Sequence, residues 1–394
     1  MTVVISRLKK KVAEAVDSVA PELQSLSRQI HDNPELAFKE YQASGLLVTA
    51  LTRHGYTVKS GLAGLETAFK ATYGQGKPVI AFFAEYDALP GIGHACGHNI
   101  ICTAAIGAAI AAKAVADTFG CTIRVIGTPG EELFGGKALM AERGVFADVD
   151  AAMLVHPGTK NAVISHALAC HTLDVEYFGK SAHAAAAPEE GINALDAMLV
   201  SFNAMSALRQ HIKDTARVHG VITDGGEAPN IVPAHSAASI IVRAVEDSYL
   251  DSLKERVLAC FEAGARATGA RLEYKWGEAR YAAMKNNQVM GKLFYDNMAR
   301  LRGGVVLEDA EKSFGSTDMG NVSQVVPAIH PFVAVAPPDV QLHTPEFAAA
   351  ALSEEGFSGL MHAAKAMVMT AADLAEGRGI LARVSDEFNQ SAAG

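Results

Sequence analysis

The sequence contains no uninterrupted stretch of about 18 strongly apolar residues, the length a helix needs to cross a bilayer. Its longest candidate, residues 100–112, is short and alanine-rich and reads as a buried helix. The first ten residues lack the charged-then-apolar order of a secretory signal. Cysteine is sparse: Cys96, Cys102, Cys121, Cys170 and Cys260 are an odd set without paired spacing. That pattern points to free thiols in a reducing cytoplasm rather than to a disulfide framework. Positive charge is also short. Lys plus Arg number 34 against 43 Asp plus Glu, a net charge of −9, which argues against nucleic acid or an anionic membrane as the main partner. HExxH, a phosphate-binding loop and CxxC are all missing. Gly91-Ile92-Gly93 leads to no third glycine and is not a dinucleotide fingerprint.

What is present is ordinary globular material: 394 residues, 49% apolar and 20% charged, enough for two or three domains with sizeable cores. Val12, Val16, Val19, Leu23 and Leu26 recur at helical spacing and predict helix over the first 30 residues. His31-Asp32-Asn33-Pro34-Glu35-Leu36 breaks it, and a second helix is expected over 40–55. Alternating strands and helices follow. Residues 78–84 form a continuous apolar run, as a strand buried on both faces does. Residues 99–117 read as a helix, 121–127 as a strand, 136–143 as a short helix and 151–155 as a third strand. This rhythm predicts an α/β fold with a mostly parallel sheet sandwiched by helices. Near Cys170 the texture changes. The order β-α-β-β-α-β over 170–282 predicts an inserted α+β domain of the split-βαβ, ferredoxin-like kind. Residues 1–169 and 283–394 then form one discontinuous domain, with a helix near 286–302, a strand over 332–335 and a long final helix over 346–375.

Polar residues collect where these strands end. Glu85-Tyr86-Asp87-Ala88-Leu89-Pro90 follows the first, Thr128-Pro129-Gly130-Glu131-Glu132 the second and His156-Pro157-Gly158 the third. Sites in open parallel sheets form at the carboxyl ends of strands, so these acids and this histidine are expected in one crevice. Cys96 and His98 stand two apart on a glycine-rich loop that opens a helix, a spacing from which both reach one metal centre. Thiolate, imidazole and carboxylate are the usual ligands of zinc. His343 lies far downstream, just before another helix. Singly, each has an ordinary reading: a packed cysteine, a satisfied histidine, acids at a helix start. Cys96 with His98 also fits a thiol nucleophile and its base. The joint placement at successive strand ends is what points to chemistry.

These residues resemble a known family, the aminoacylase-like metallopeptidases and amidohydrolases with a di-metal site. That family includes bacterial N-acyl-amino-acid (hippurate-type) hydrolases and plant auxin–amino-acid conjugate hydrolases. His31-Asp32-Asn33-Pro34-Glu35-Leu36, Asp87-Ala88-Leu89-Pro90, His94-Ala95-Cys96-Gly97-His98, Gly130-Glu131-Glu132, Gly179-Lys180-Ser181-Ala182-His183 and His343-Thr344-Pro345 occur in the family's order. Asn99, where most such hydrolases have Asp, and the segment 315–323 are similar to the branch that holds the B-type component of p-aminobenzoyl-glutamate hydrolase and the β-alanyl-lysine dipeptidases.

The resemblance implies a zinc-exopeptidase type of fold and metal-dependent hydrolysis of the amide bond of an N-acyl or N-aroyl amino acid, or of a dipeptide. A metal-activated water would attack, with Glu131 as general base. It implies two divalent ions per chain, zinc first, with manganese or cobalt admitted by the same donor types. Cys96 would bridge them, and His98, Glu132, His156 and His343 would complete the two positions. Asp87 would orient a ligand imidazole, His183 would donate to the developing oxyanion, and Asn230 would line the site. Arg243 is a candidate for the substrate carboxylate, with a surface ion pair as its alternative. The inserted domain would act as a lid and as the contact of a homodimer, with His183 serving the site of either chain. Two other readings stay open: a Cys96–His98 thiol hydrolase, and a non-catalytic ligand-binding member of the same scaffold.

Overall fold

The computed structural model describes residues 3–302, 304–308 and 315–390. The chain divides into two compact units. One comprises Met1–Ser165, Met284–Lys312 and Asp318–Gly394; the other comprises His166–Ala283 and Ser313–Thr317.

The first unit is built on a six-stranded sheet in the order Thr57–Ser60, Phe69–Gly74, Thr122–Gly127, Val79–Ala84, Ala151–Met153, Ala328–Ile329. The last four strands run parallel, and the first two join antiparallel. The sheet is therefore more mixed than the apolar runs suggest. Its antiparallel edge comes from a hairpin whose outer strand is mostly exposed and carries no apolar run. Every residue of Val79–Ala84 is buried, as an all-apolar strand requires.

The helix His98–Phe119 packs along this sheet and against the helices Ala20–His31 and Glu354–Glu376. Small residues allow that approach: a Cβ on Gly107 would lie 2.8 Å from Leu23 Cδ1 and 3.2 Å from Ala364 Cβ. The helix has the length and apolarity of a membrane span, but 89% of its most apolar window is buried within the protein.

Three local differences from the sequence reading bear on the site. The third parallel strand stops at Met153, and His156 instead opens a strand, His156–Gly158, in a separate four-stranded sheet with Asn161–Ile164, Val305–Glu308 and Phe332–Ala334. The expected final helix is broken into Pro345–Ala350 and Glu354–Glu376. Ser353 starts the second piece by accepting from Gly356 N at 3.0 Å, with Glu354 and Glu355 in its first turn. A further helix, Arg378–Gln390, follows.

The second unit is an antiparallel sheet in the order Arg271–Trp276, Ala169–Phe178, His235–Ala244, Arg217–Asp224, with helices Ala194–Leu208 and Asp247–Thr268. Alternating buried positions along Ala169–Phe178 and His235–Ala244 place Leu173, Tyr177 and Ile240 in a core with Met198, Leu253 and Phe261.

In the first unit a buried polar group ties the amino-terminal helix to the carboxyl-terminal ones. Lys9 Nζ donates to Asp373 at 2.6 Å and to Asn297 Oδ1 at 2.8 Å, with both charges buried. Removing one partner leaves the other charge buried and unpaired. Asp373→Ala is expected to lower stability by about 3–5 kcal/mol, read as a shifted denaturant midpoint in chemical unfolding.

Candidate metal centre

The loop before the helix His98–Phe119 determines how two donors can meet. Gly97 adopts φ 78°, and a Cβ there would lie 2.5 Å from Pro157 Cγ. Only glycine accommodates both demands, and this turn lets Cys96 and His98 face a common point. Cys96 Sγ lies 3.4 Å from His156 Nε2. The His156 Nδ1 faces the Pro157 carbonyl at 2.7 Å, so a neutral ring carries its proton there and leaves the Nε2 lone pair for a cation.

His98 is oriented in the same manner. Its Nδ1 meets Asp87 Oδ1 at 3.1 Å, while Asp87 Oδ2 accepts from Glu132 N at 3.0 Å. One buried carboxylate thus fixes both a candidate ligand ring and the backbone of a candidate ligand carboxylate. Burial works to raise the Asp87 carboxyl, but the hydrogen bond and charge of His98 win and hold it below its usual range.

Glu131 and Glu132 open a single helical turn, Glu131–Phe134, launched by Gly130 at φ 72°. Glu132 Oε1 lies 3.7 Å from His98 Nε2 and 3.7 Å from His343 Nε2. His343 sits in a left-handed backbone conformation, φ 63°, uncommon for a non-glycine residue and a strain that concentrates at functional sites. Its N–H donates to Ala95 O at 2.9 Å, which ties this distant loop to the Cys96 loop.

The donors form two groups that share Cys96: Cys96 with His98 and His156, and Cys96 with Glu132 and His343. Within each group the donor atoms lie within 4.8 Å of one another. A third group joins His98, Glu131 and Glu132. The donor set suits divalent ions. His98 Nε2 and Glu132 Oε1 are buried without a hydrogen-bond partner, as atoms reserved for a cation would be. Burial pushes the Cys96 thiol well above its usual value; a neighbouring cation would offset this and stabilise the thiolate.

The charges around the cluster lead the same way. Glu85, Asp87, Glu131 and Asp318 are buried, and the Glu132 side chain nearly so. The buried lysine among them is Lys137, fully enclosed, which pairs with Asp318 Oδ1 at 2.8 Å and with Glu85. Its backbone N–H also donates to Asp318 Oδ2 at 2.7 Å. Burial, with Glu85, Asp318 and Glu132 alongside, pushes the Glu131 carboxyl well above its usual value. Glu85, Asp318 and Glu131 face this one ammonium, and a buried site balances such an excess of acidic groups by protonation or by further positive charge.

Glu85, Lys137 and Asp318 are the members of this cluster to which sequence reasoning gives no role. Glu85 carries a signal, since it stands two residues before Asp87 at the same strand end. Lys137 carries none: a lysine on a short helix looks like any solvated residue. Asp318 lies inside the 315–323 segment that bears the branch resemblance.

The remaining candidates belong to the second unit. His183 and Asn230 lie on paired exposed segments: His183 bridges to Ile231, and Ala184 N donates to Asn230 O at 3.0 Å. His183 Nδ1 accepts from Ala185 and Ala186 N–H groups at 3.3 and 3.1 Å, so the proton of a neutral ring sits on Nε2. Arg243, half-buried on the strand His235–Ala244, donates to Ser316 Oγ at 2.7 Å; a hydroxyl, not an acid, is its observed partner.

An α/β unit on a mixed sheet, with Cys, His and Glu donors converging around unsatisfied buried atoms, is the scaffold of a candidate metalloenzyme. The chain belongs to peptidase family M20/M25/M40, whose model matches residues 81–366. It is 37% identical over 397 residues to the Xaa-Arg dipeptidase of Mus musculus, covering 97% of this chain and 92% of that one. It is 34% identical over 304 residues to the B-type component of the p-aminobenzoyl-glutamate hydrolase of Escherichia coli K12, covering 72% and 63%. Among solved structures, a putative aminohydrolase of methicillin-resistant Staphylococcus aureus shares the fold with a TM-score of 0.76 at 19% identity, over 93% of this chain and 99% of that one. A Bacillus subtilis protein described as a dinuclear metal-binding peptidase of family M20 superposes with a TM-score of 0.68 at 21% identity, over 90% and 99%. The chain is accordingly a hydrolase of amide or peptide bonds and a member of a metallopeptidase family.

Because Asp87 holds both the His98 ring and the Glu132 backbone, Asp87→Ala is expected to weaken metal binding by about 10- to 100-fold. Competition against a fluorescent chelator, with the fold checked by circular dichroism, reads this directly.

Proposed function

We propose that the protein cleaves the amide bond of an N-acyl or N-aroyl amino acid, or of a dipeptide, in a reaction that needs two divalent ions. The observation that carries the reading is the pair of donor groups sharing Cys96. In it, His98 and His156 occupy one position and Glu132 and His343 the other, with zinc, manganese or cobalt compatible with the donors. Ions bound there supply Lewis acidity toward a carbonyl and lower the pKa of water.

The chain's own residues do the rest. Glu131 stands beside the ligand Glu132 but is not needed to complete either shared group, which leaves it to take a proton from water and pass it to the leaving amine. Asp87 keeps His98 in one tautomer. His183, with Nε2–H directed outward by the two N–H groups at Nδ1, is suited to donate to the oxyanion. Asn230 and Arg243 are proposed to bind the substrate's polar groups. In the same proposal residues 170–282 form a lid and homodimer contact, and the protein works in the cytoplasm, in keeping with its five free cysteines. The named relatives act on Xaa-Arg dipeptides and p-aminobenzoyl-glutamate, which supports a small substrate with a free carboxylate.

The two adjacent glutamates separate the roles. Glu131→Gln is expected to keep its metal and lose turnover by about 10²- to 10⁴-fold. Glu132→Gln is expected to lose metal. Elemental analysis of both variants, with hydrolysis assayed before and after chelation and metal restoration, checks the assignment; identical behaviour of the two refutes it. Light scattering of the intact protein tests the dimer, and a fully active monomer would rule out a role for His183 in the site of a second chain.

A further inference from the structure

Beside the metal centre is an aromatic pair that the proposed chemistry does not use. Phe134 ends the same helical turn that begins with Glu131. Residues three apart on a helix share a face, so Phe134 stands on the same side of the turn as the proposed base. Its ring stacks on Phe38 at 5.3 Å between centroids and 18° between planes. Phe134 is 51% exposed, and Leu133 and Leu36 are 48% and 42% exposed.

The pair is built, not incidental. Phe38 holds φ 63°, a left-handed conformation costly for an aromatic residue. Its ring lies so close to the turn that a Cβ on Gly130 would sit 2.7 Å from Phe38 Cε1. Glu40, fully buried, fastens both segments through one oxygen: its Oε1 accepts from Phe38 N at 2.9 Å and from Gly130 N at 2.9 Å. Thr67 Oγ1 donates to the other oxygen at 2.9 Å. A buried carboxylate is thus committed to holding the half-buried Phe38 against the turn that carries Glu131, Glu132 and the exposed Phe134. Folding alone does not call for an aromatic residue here, since a glycine at 38 would adopt the same backbone conformation without strain.

We propose that Phe38 and Phe134 form a shelf that receives the acyl half of the substrate and selects for an apolar or aromatic acyl group; this rests on the amide-hydrolase reading above. The choice of half follows from charge. The amine half of an N-acyl amino acid or dipeptide carries a carboxylate, which an apolar surface rejects, whereas the acyl half need carry no charge. A flat ring laid on the exposed Phe134 face gains offset stacking and apolar burial. Glu40 acts as a positioning residue for the shelf.

The test compares kcat/KM for N-benzoyl and N-acetyl derivatives of arginine and of glutamate, using the metal-loaded full-length protein. Phe134→Ala is expected to lower the benzoyl-to-acetyl ratio by about 10-fold or more, within the range a single apolar contact gives, and Phe134→Trp to restore it. Equal losses on both acyl groups, or an unchanged ratio, would overturn the shelf while leaving amide hydrolysis standing. A shift in oligomeric state on light scattering with an unchanged ratio would assign the patch to a second copy of the chain and overturn it too. If the wild-type protein hydrolyses none of the four, the N-acyl arm of the functional reading fails and the shelf with it, while the dipeptide arm stands.

Discussion

The arrangement depends on one electrostatic constraint: too much negative charge is held away from water in the first unit. Glu85, Glu131 and Asp318 are buried around the enclosed Lys137, and Asp87 is buried against His98. A fold can bury an isolated carboxylate only by pairing it, coordinating it or protonating it. Lys137 pairs two, Asp87 is satisfied by His98 and the Glu132 backbone, and the donors around Cys96 are arranged for cations. Structure and chemistry thus follow from the same imbalance. The geometry that makes the metal-free cluster unfavourable is what makes it a good host for positive charge.

Holding that cluster falls to backbone that most residues cannot adopt. Gly97 brings Cys96 and His98 to one point, and Gly130 turns the chain so that Glu131 and Glu132 leave together. His343 reaches the same place only through a left-handed conformation pinned by Ala95. Rigid strands and a long buried helix supply the frame, and short irregular turns at their ends place the side chains.

Much of this is legible in the sequence where side-chain chemistry and strand ends coincide. The apolar run of Val79–Ala84 announces its strand, and the polar residues after it announce a site. Cys96, His98, Glu132, His156 and His343 are each ordinary when taken singly; their joint placement, and the resemblance their motifs carry, mark them as candidate donors. What escapes notice lacks such contrast. The hairpin over 57–74 has short, half-polar strands that pair only because Thr122–Gly127 offers an edge. Lys137 takes its meaning from Asp318, 181 residues away, and no local pattern reports that. His156 reads as a polar residue after a strand, but its own strand forms by pairing with Phe332–Ala334, a contact set by the far end of the chain.

The discontinuity of the first unit has a consequence for the order in which the protein becomes itself. Cys96, His98, Glu132 and His156 leave the ribosome early, but Asp318 and His343 follow only after the whole of the second unit has been made. Until then Lys137 lacks its aspartate, the sheet lacks Ala328–Ile329, and one donor group has two members instead of three. The second unit, nearly continuous in sequence, can close on its own core in the meantime. A nascent chain therefore passes through a stage with one donor group complete and the other, which needs His343, completed only in the last quarter of the polypeptide.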